Sequence, residues 1–133
     1  MRFLVKKYLL LTICLLTMIK TNAQDQFSVL LFTQHDDWHY NTIPVAIQAF
    51  EEMAEEHQFK FNWTQRPDDL IDKLPKHDVV LFMNANADSL KTMHMIALKT
   101  FMKRGGGFVG IHGTADGENN NSWFDGLVGA KFV

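Results

Sequence analysis

Six histidines lie along the 133-residue chain, and His112 has the most telling surroundings. It ends the apolar run Phe108-Val109-Gly110-Ile111 and enters a turn of small residues, Gly113-Thr114-Ala115, that closes on Asp116. In parallel α/β sheets ligands bind at the carboxyl ends of the strands, and imidazole is the side chain best suited to moving protons near neutral pH. His35 and His39 are separated by three residues in the polar, aromatic stretch Gln34 to Tyr40. With His112 and an acid they would make a two-histidine-plus-carboxylate or three-histidine metal set. That spacing alone does not specify a metal, and none is expected. Trp38, Tyr40 and Trp123 are aromatic enough to stack on a sugar ring, although packing is the commoner use of such residues. The remaining histidines stand elsewhere: His57 closes a helical pattern, His77 precedes a strand and His94 lies within a helix, which predicts structural or solvated roles. No G-x-S-x-G elbow is present.

Four apolar runs read as strands that would position these groups. Phe27 to Thr33 is nearly continuous and β-branched, as in a strand buried on both faces, while Phe59 to Trp63 alternates and suits a sheet edge. Asp78 to Met83 and Phe108 to Ile111 complete the set. Between the first two, Asn41 or Thr42 caps a helix with Pro44 in its first turn; Val45, Ala46, Ala49, Phe50, Met53 and Ala54 would be its apolar stripe. A short helical turn is expected over Pro67 to Ile71, ending before Pro75. Asp88 or Ser89 would cap a further helix whose face is Met93, Ile96, Ala97, Thr100 and Phe101. Gly105 then takes the left-handed position that ends helices, so the triple glycine Gly105 to Gly107 reads as a cap. Phosphate-cradling glycines follow a strand; these precede one. Trp123 to Leu127 forms a short helix. The order implies a parallel sheet with right-handed crossovers, covered on both faces. Three segments then share one edge, and with them Gln34, His35, His39, Asn84, Asn86, His112, Asp116 and Glu118.

Arg2, Lys6 and Lys7 precede about a dozen mostly apolar residues, Tyr8 to Ile19, and Ala23 offers a small residue for cleavage. Residues 1–23 are therefore read as a signal peptide and residues 24–133 as one domain, exported to the periplasm or the cell exterior. Residues 24–133 hold nine basic against fifteen acidic residues, a net charge of −6 with neutral histidines. That balance disfavours nucleic acid and anionic membranes as partners. The sole cysteine, Cys14, falls in the apolar segment, which leaves neither a disulfide nor a thiol nucleophile to the cleaved chain.

The stretch GGGFVGIHGTAD at Gly105 to Asp116, with WHYNTIP at Trp38 to Pro44 and WFDGLVGAKF at Trp123 to Phe132, resembles the ThuA-like, or trehalose-utilisation, family. The resemblance runs over essentially all of residues 24–133. It implies a flavodoxin-like, class I glutamine amidotransferase-like α/β sandwich of three layers around a parallel sheet. In amidotransferases the strand equivalent to Phe108–Ile111 leads to a nucleophilic cysteine in a G-x-C-x-G turn. Here His112 stands at that position, so glutaminase activity is not implied. His39, His112 and Asp116 match the family's motif histidines and acid, which suggests that the two imidazoles handle protons while Asp116 orients an imidazole or binds hydroxyls. The resemblance implies exported carbohydrate catabolism on a sugar or sugar derivative; Gln34, Trp38, Asn84 and Asn86, by their place at the same edge, are the expected substrate contacts. A non-catalytic sugar-binding or accessory module, or an inactive fragment, is the alternative. Domains of the family run to roughly twice the length of residues 24–133, within ordinary domain sizes, so the chain is expected to be C-terminally truncated. An uncovered sheet edge would favour homo-oligomers. No cofactor is specified.

Overall fold

The computed structural model describes residues 24–34, 40–116 and 121–129. The expected signal segment and the positions of His35, Trp38, His39 and Glu118 lie outside the described residues. Four strands, β1 (Ser28–Thr33), β2 (Lys60–Thr64), β3 (Val79–Met83) and β4 (Gly107–Ile111), form one sheet. The helices are α1 (Thr42–His57), α2 (Asp69–Lys73), α3 (Thr92–Lys103) and α4 (Ser122–Val128). Short 3-10 turns occupy Leu74–Lys76, directly after α2, and His112–Ala115, directly after β4.

All strand pairs are parallel, in the order β2-β1-β3-β4. The expected edge position of β2 is observed. This is the flavodoxin-like doubly wound order, whose reversal lies between β1 and β3. Strands β1 and β3 are the interior pair, and their apolar side chains are buried on both faces as their unbroken sequences predict. One core joins Leu30, Phe32, Val80 and Phe82 to Leu70, Leu74, Met95, Leu98, Phe101 and Phe124. The other joins Val29, Leu31 and Leu81 to Ile47 and Phe50 of α1. In the first core the ring of Phe82 lies 4.9 Å from Phe32, 5.3 Å from Phe108 and 5.9 Å from Phe124 between centroids. Phe124 meets Phe108 edge-on, within the range where aromatic pairs attract beyond simple burial.

At the amino end of the sheet, the backbone N–H and the hydroxyl of Ser28 both donate to Asp78 Oδ2, at 2.8 and 2.7 Å. The Asp78 N–H donates in return to Ser28 O and Oγ, at 3.0 and 3.1 Å. This reciprocal clamp fixes where β3 starts against β1. At the far end of α3, Gly105 holds φ +90° as expected, and its N–H and that of Gly106 satisfy the carbonyls of Met102 and Phe101. The α4 helix is capped by Asn121, whose Oδ1 accepts from the Phe124 N–H at 3.2 Å, and ends at Gly129 with φ +73°.

Both long helices keep only part of the expected face, Phe50 in α1 and Ala97 and Phe101 in α3. In α1 the side chains that meet the sheet are Ile43, Ile47 and Phe50, while Val45, Ala49 and Met53 are exposed. In α3 the core takes His94, Met95, Leu98 and Phe101, and Met93 and Ile96 face outward at 53% and 60% exposure. Each helix carries two apolar stripes, and periodicity does not say which one the sheet takes. The α3 helix also starts later than expected: Lys91 is its N-cap and Asp88 and Ser89 belong to the preceding turn. At the other sheet edge, β4 departs from the expectation of two covered faces, since Val109 is 44% exposed. Among the described residues no helix is long and apolar enough to cross a membrane.

Two outcomes follow for stability. The two hydrogen bonds from Ser28 hold the Asp78 carboxyl below its ordinary value of 3.8. Bonds from Lys73 and then Thr64 do the same for Asp69. A carboxyl with a lowered folded-state value contributes stability that is fully present above the unfolded value and is lost as pH falls through the folded one. Asp78→Asn is therefore expected to flatten the decline of Tm below about pH 4, with little change near neutrality beyond the lost ion's hydrogen bonds. A Tm–pH curve of unchanged slope in acid would show that the clamp contributes nothing. Phe124→Ala opens a hole beside Phe82 and Phe108 and is expected to cost about 3–5 kcal/mol in denaturant unfolding. A loss under about 1 kcal/mol would mean that α4 is not part of the cooperative core.

Candidate functional site

Strand β4 ends abruptly at Ile111, and the next residue, His112, holds φ +52°. A non-glycine residue in the left-handed region stores on the order of 1–3 kcal/mol and persists only where its surroundings fix it. The local sequence supplies that fixation. Thr114 is buried, and its Oγ1 lies 3.0 Å from Phe82 O and 3.1 Å from Ile111 O, so its one proton bridges the ends of β3 and β4. Gly110 leaves the space that Thr114 fills: a Cβ there would come within 2.9 Å of Thr114 Cγ2. Gly113 lets the turn close on the neighbouring strand end, where a Cβ would lie 3.3 Å from the Cα of Asn84.

Asn84 is the counterpart at the end of β3. It also holds φ +52°, is buried, and donates its N–H to Ile111 O at 3.3 Å. Its side-chain Oδ1 is 3.0 Å from His112 Nδ1. With the amide oxygen as acceptor, Nδ1 carries the proton and Nε2 is the lone-pair nitrogen, the tautomer suited to accepting a proton or a ligand. The imidazole itself is exposed. Asp116 follows at the end of the 3-10 turn, also exposed, with its N–H on Gly113 O at 3.2 Å.

Beside this elbow, where the strand order reverses, lies a cleft of about 440 Å³ lined by Gln34, Gln65, Pro67, Asn84, Asn86, Asp88 and Ser89. Its amides are oriented by backbone donors. The Asn86 N–H donates to Gln34 Oε1 at 3.2 Å, and the Asp88 N–H donates to Asn86 Oδ1 at 3.0 Å. A backbone N–H only donates, which assigns the carbonyl oxygens of Gln34 and Asn86 and leaves each amide an NH2 group that can donate to a guest. Among the described residues Asp88 is the one charged side chain in the lining. Uncharged donors in a concave site suit a neutral, oxygen-rich ligand better than an anion that needs compensating charge.

Of the residues named from sequence, Gln34, Asn84, Asn86 and His112 come together on this edge, with Asp116 just beyond. His39 and Trp38 fall outside the described residues. Asn84 lines the cleft, but its carbonyl is committed to His112, which makes it a positioning group as much as a contact. Sequence alone did not single out Gln65, Asp88 and Ser89 as lining residues. Gln65 follows β2, and a parallel sheet puts the residue after every strand on the same edge, so that signal was available. Trp123 packs against the core with Lys99 Nζ 5.1 Å from its ring centroid. The histidines expected to be structural have structural partners: His94 is buried, with Nε2 2.8 Å from Asp68 Oδ1 and Nδ1 accepting from the Lys91 N–H, and His77 joins Lys73 O to Asn62 Oδ1. Among the described residues no group of three His, Cys, Asp or Glu side chains is placed to hold a metal.

Comparison with known proteins bears on the whole chain. A search of curated proteins finds no match. Among solved structures, a ThuA-like protein from Bacteroides uniformis is similar, with a TM-score of 0.66 and 20% identity over 82% of this chain. The match spans 46% of that protein, so the chain accounts for less than half of its relative's length. At that identity the likeness establishes a shared fold. The sequence evidence is broader: the model of the ThuA family, described as trehalose utilisation, matches residues 28–133. The chain belongs to the ThuA family.

Proposed function

We propose that this ThuA-family chain acts in the catabolism of a neutral sugar or sugar derivative outside the cytoplasm, with His112 as the proton-handling group at the carboxyl edge of the sheet. The observation that carries the proposal is the His112–Asn84 pair, two strand ends in the left-handed region joined by a 3.0 Å hydrogen bond beside an amide-lined cleft. Strained strand-to-turn elbows are how α/β enzymes present a reacting side chain clear of the backbone. In this reading Gln34, Asn84 and Asn86 donate to sugar hydroxyls, and His112 Nε2 accepts a proton from the bound substrate. Asp116 and His39 complete the proton-handling set, with Asp116 orienting an imidazole or taking a hydroxyl. Trp38 contributes a stacking face. The basic and apolar leader ending at Ala23 supports export to the periplasm or cell exterior, with no membrane attachment after cleavage.

A binding or accessory role is the second reading, favoured by one feature: the residues that line the cleft do not include His112 or Asp116. One experiment separates the two. Neutral mono- and disaccharides, trehalose among them, are titrated by calorimetry while NMR follows their conversion. The enzymatic reading expects His112→Ala to reduce turnover by about 10²–10⁴-fold with binding changed only a few-fold. Asn84→Ala should shift the pH dependence of turnover as well as its rate, because the imidazole loses the group that fixes its tautomer. Saturable binding with no conversion by the wild-type chain would instead select the binding role. Absence of any sugar binding would remove both.

A further inference from the structure

We infer that the sugar cleft continues into a second, apolar subsite built around Trp63, so that the ligand is a glycoside carrying an apolar aglycone. The inference rests on the reading of the amide-lined cleft as the glycone site. Trp63 is on the edge strand β2 and is 40% exposed, a position where a large ring gains little from burial. Yet it is held: its indole N–H donates to Thr33 Oγ1 at 3.0 Å, and Thr33 is fully buried at the end of β1. A hollow of about 320 Å³ opens against this ring, lined by Tyr40, Ile43, Pro44, Ile47, Trp63 and Gln65. Five of those six side chains are aliphatic or aromatic, and three come from the first turns of α1, where Ile43 is anchored in the protein interior. The walls are therefore preset by the fold. Gln65 lines both this hollow and the amide-lined cleft, so the two are neighbours across one side chain.

The chemistry of the two halves differs. The cleft offers amide donors and one carboxylate, which suits hydroxyls. The hollow offers one amide and one phenol among apolar surfaces, too few polar groups to satisfy a second hydroxyl-rich ring, whereas a phenyl or alkyl group loses nothing there. Trp63, fixed through its indole N–H to Thr33, also holds a ligand at low cost in conformational freedom.

Calorimetric titration with a matched pair, methyl and phenyl glucoside, tests this. Wild-type protein is expected to bind the phenyl glycoside about tenfold more tightly than the methyl one, as burial of a ring predicts. Trp63→Ala should reduce that preference to about twofold or less while leaving methyl glucoside affinity in place, and Asn86→Ala should weaken both ligands and keep the ratio. Tyr40→Ala, at a side chain 59% exposed, guards against a Trp63 variant that fails to fold. It is expected to cut the preference about threefold. If the wild type shows no preference, or the preference survives both aromatic substitutions, the subsite is refuted; Asn86→Ala still weakening both ligands would then leave the glycone cleft standing. If neither glycoside binds, the glycone reading and the subsite fail together.

Discussion

The hydroxyl of Thr114, shared between the carbonyls of Phe82 near the end of β3 and Ile111 at the end of β4, is the contact on which the site depends. It ties the 3-10 turn down onto the two strand ends, and the turn in turn carries His112. Gly110 and Gly113 are consequences of that contact: the first makes room for the threonine and the second for the backbone of Asn84. A side chain at either position would have to be accommodated by moving the turn, and with it the imidazole. Phe82 links this device to the fold, since its carbonyl accepts from Thr114 while its ring sits among Phe32, Phe108 and Phe124.

That linkage explains how two residues remain at positive φ. Strain of on the order of 1–3 kcal/mol at each of Asn84 and His112 is a large share of what a small domain has to spare, unless the surroundings over-determine the geometry. Here they do. The Asn84 N–H is paired to β4, its side chain to His112, and the strand behind it has its three central residues buried between two cores. At the opposite end of β3 the Ser28–Asp78 clamp sets the start of the strand. Register fixed at one end and a shared hydroxyl at the other leave the carboxyl edge little freedom to shift.

The sheet was legible in the sequence because its signals are one-dimensional. Unbroken apolar runs marked β1 and β3, alternation marked β2 as an edge, and the triple glycine marked the end of α3. Helix phase was not legible. Ile47 and Val45 are equally apolar, as are Leu98 and Ile96, and the choice between them is made by the sheet. The same holds for Asp88 and Ser89, which look like caps; Asn86 instead takes the Asp88 N–H into a tight turn, and the helix waits for Lys91 and the buried His94. At the site, His112 was visible as a strand-ending histidine; histidine and asparagine are both enriched among non-glycine residues in the left-handed region, but type alone does not say which copy adopts it. Asn84 was visible as a polar residue on the right edge; its role toward His112 needed the three-dimensional pairing. Trp63 and Gln65 are marked in the sequence only as the end of an alternating strand, and the hollow they share with the start of α1 exists only in the folded chain.

The elbow also bears on what kind of chemistry this family member is built for. The resemblance to class I amidotransferases places a cysteine nucleophile where His112 stands, and a thiol and an imidazole make different demands on the same turn. A thiolate needs only exposure and a base. An imidazole must be fixed about one further torsion, χ2, and its two nitrogens must be told apart before either is useful. Asn84 Oδ1 does this by accepting from Nδ1, and it does so from a backbone conformation that brings its side chain back toward β4. Replacement of cysteine by histidine is thus coherent only together with Asn84 and with Gly113, which lets the two strand ends approach. In the proposed reading those three residues act as one unit in proton transfer at a neutral substrate.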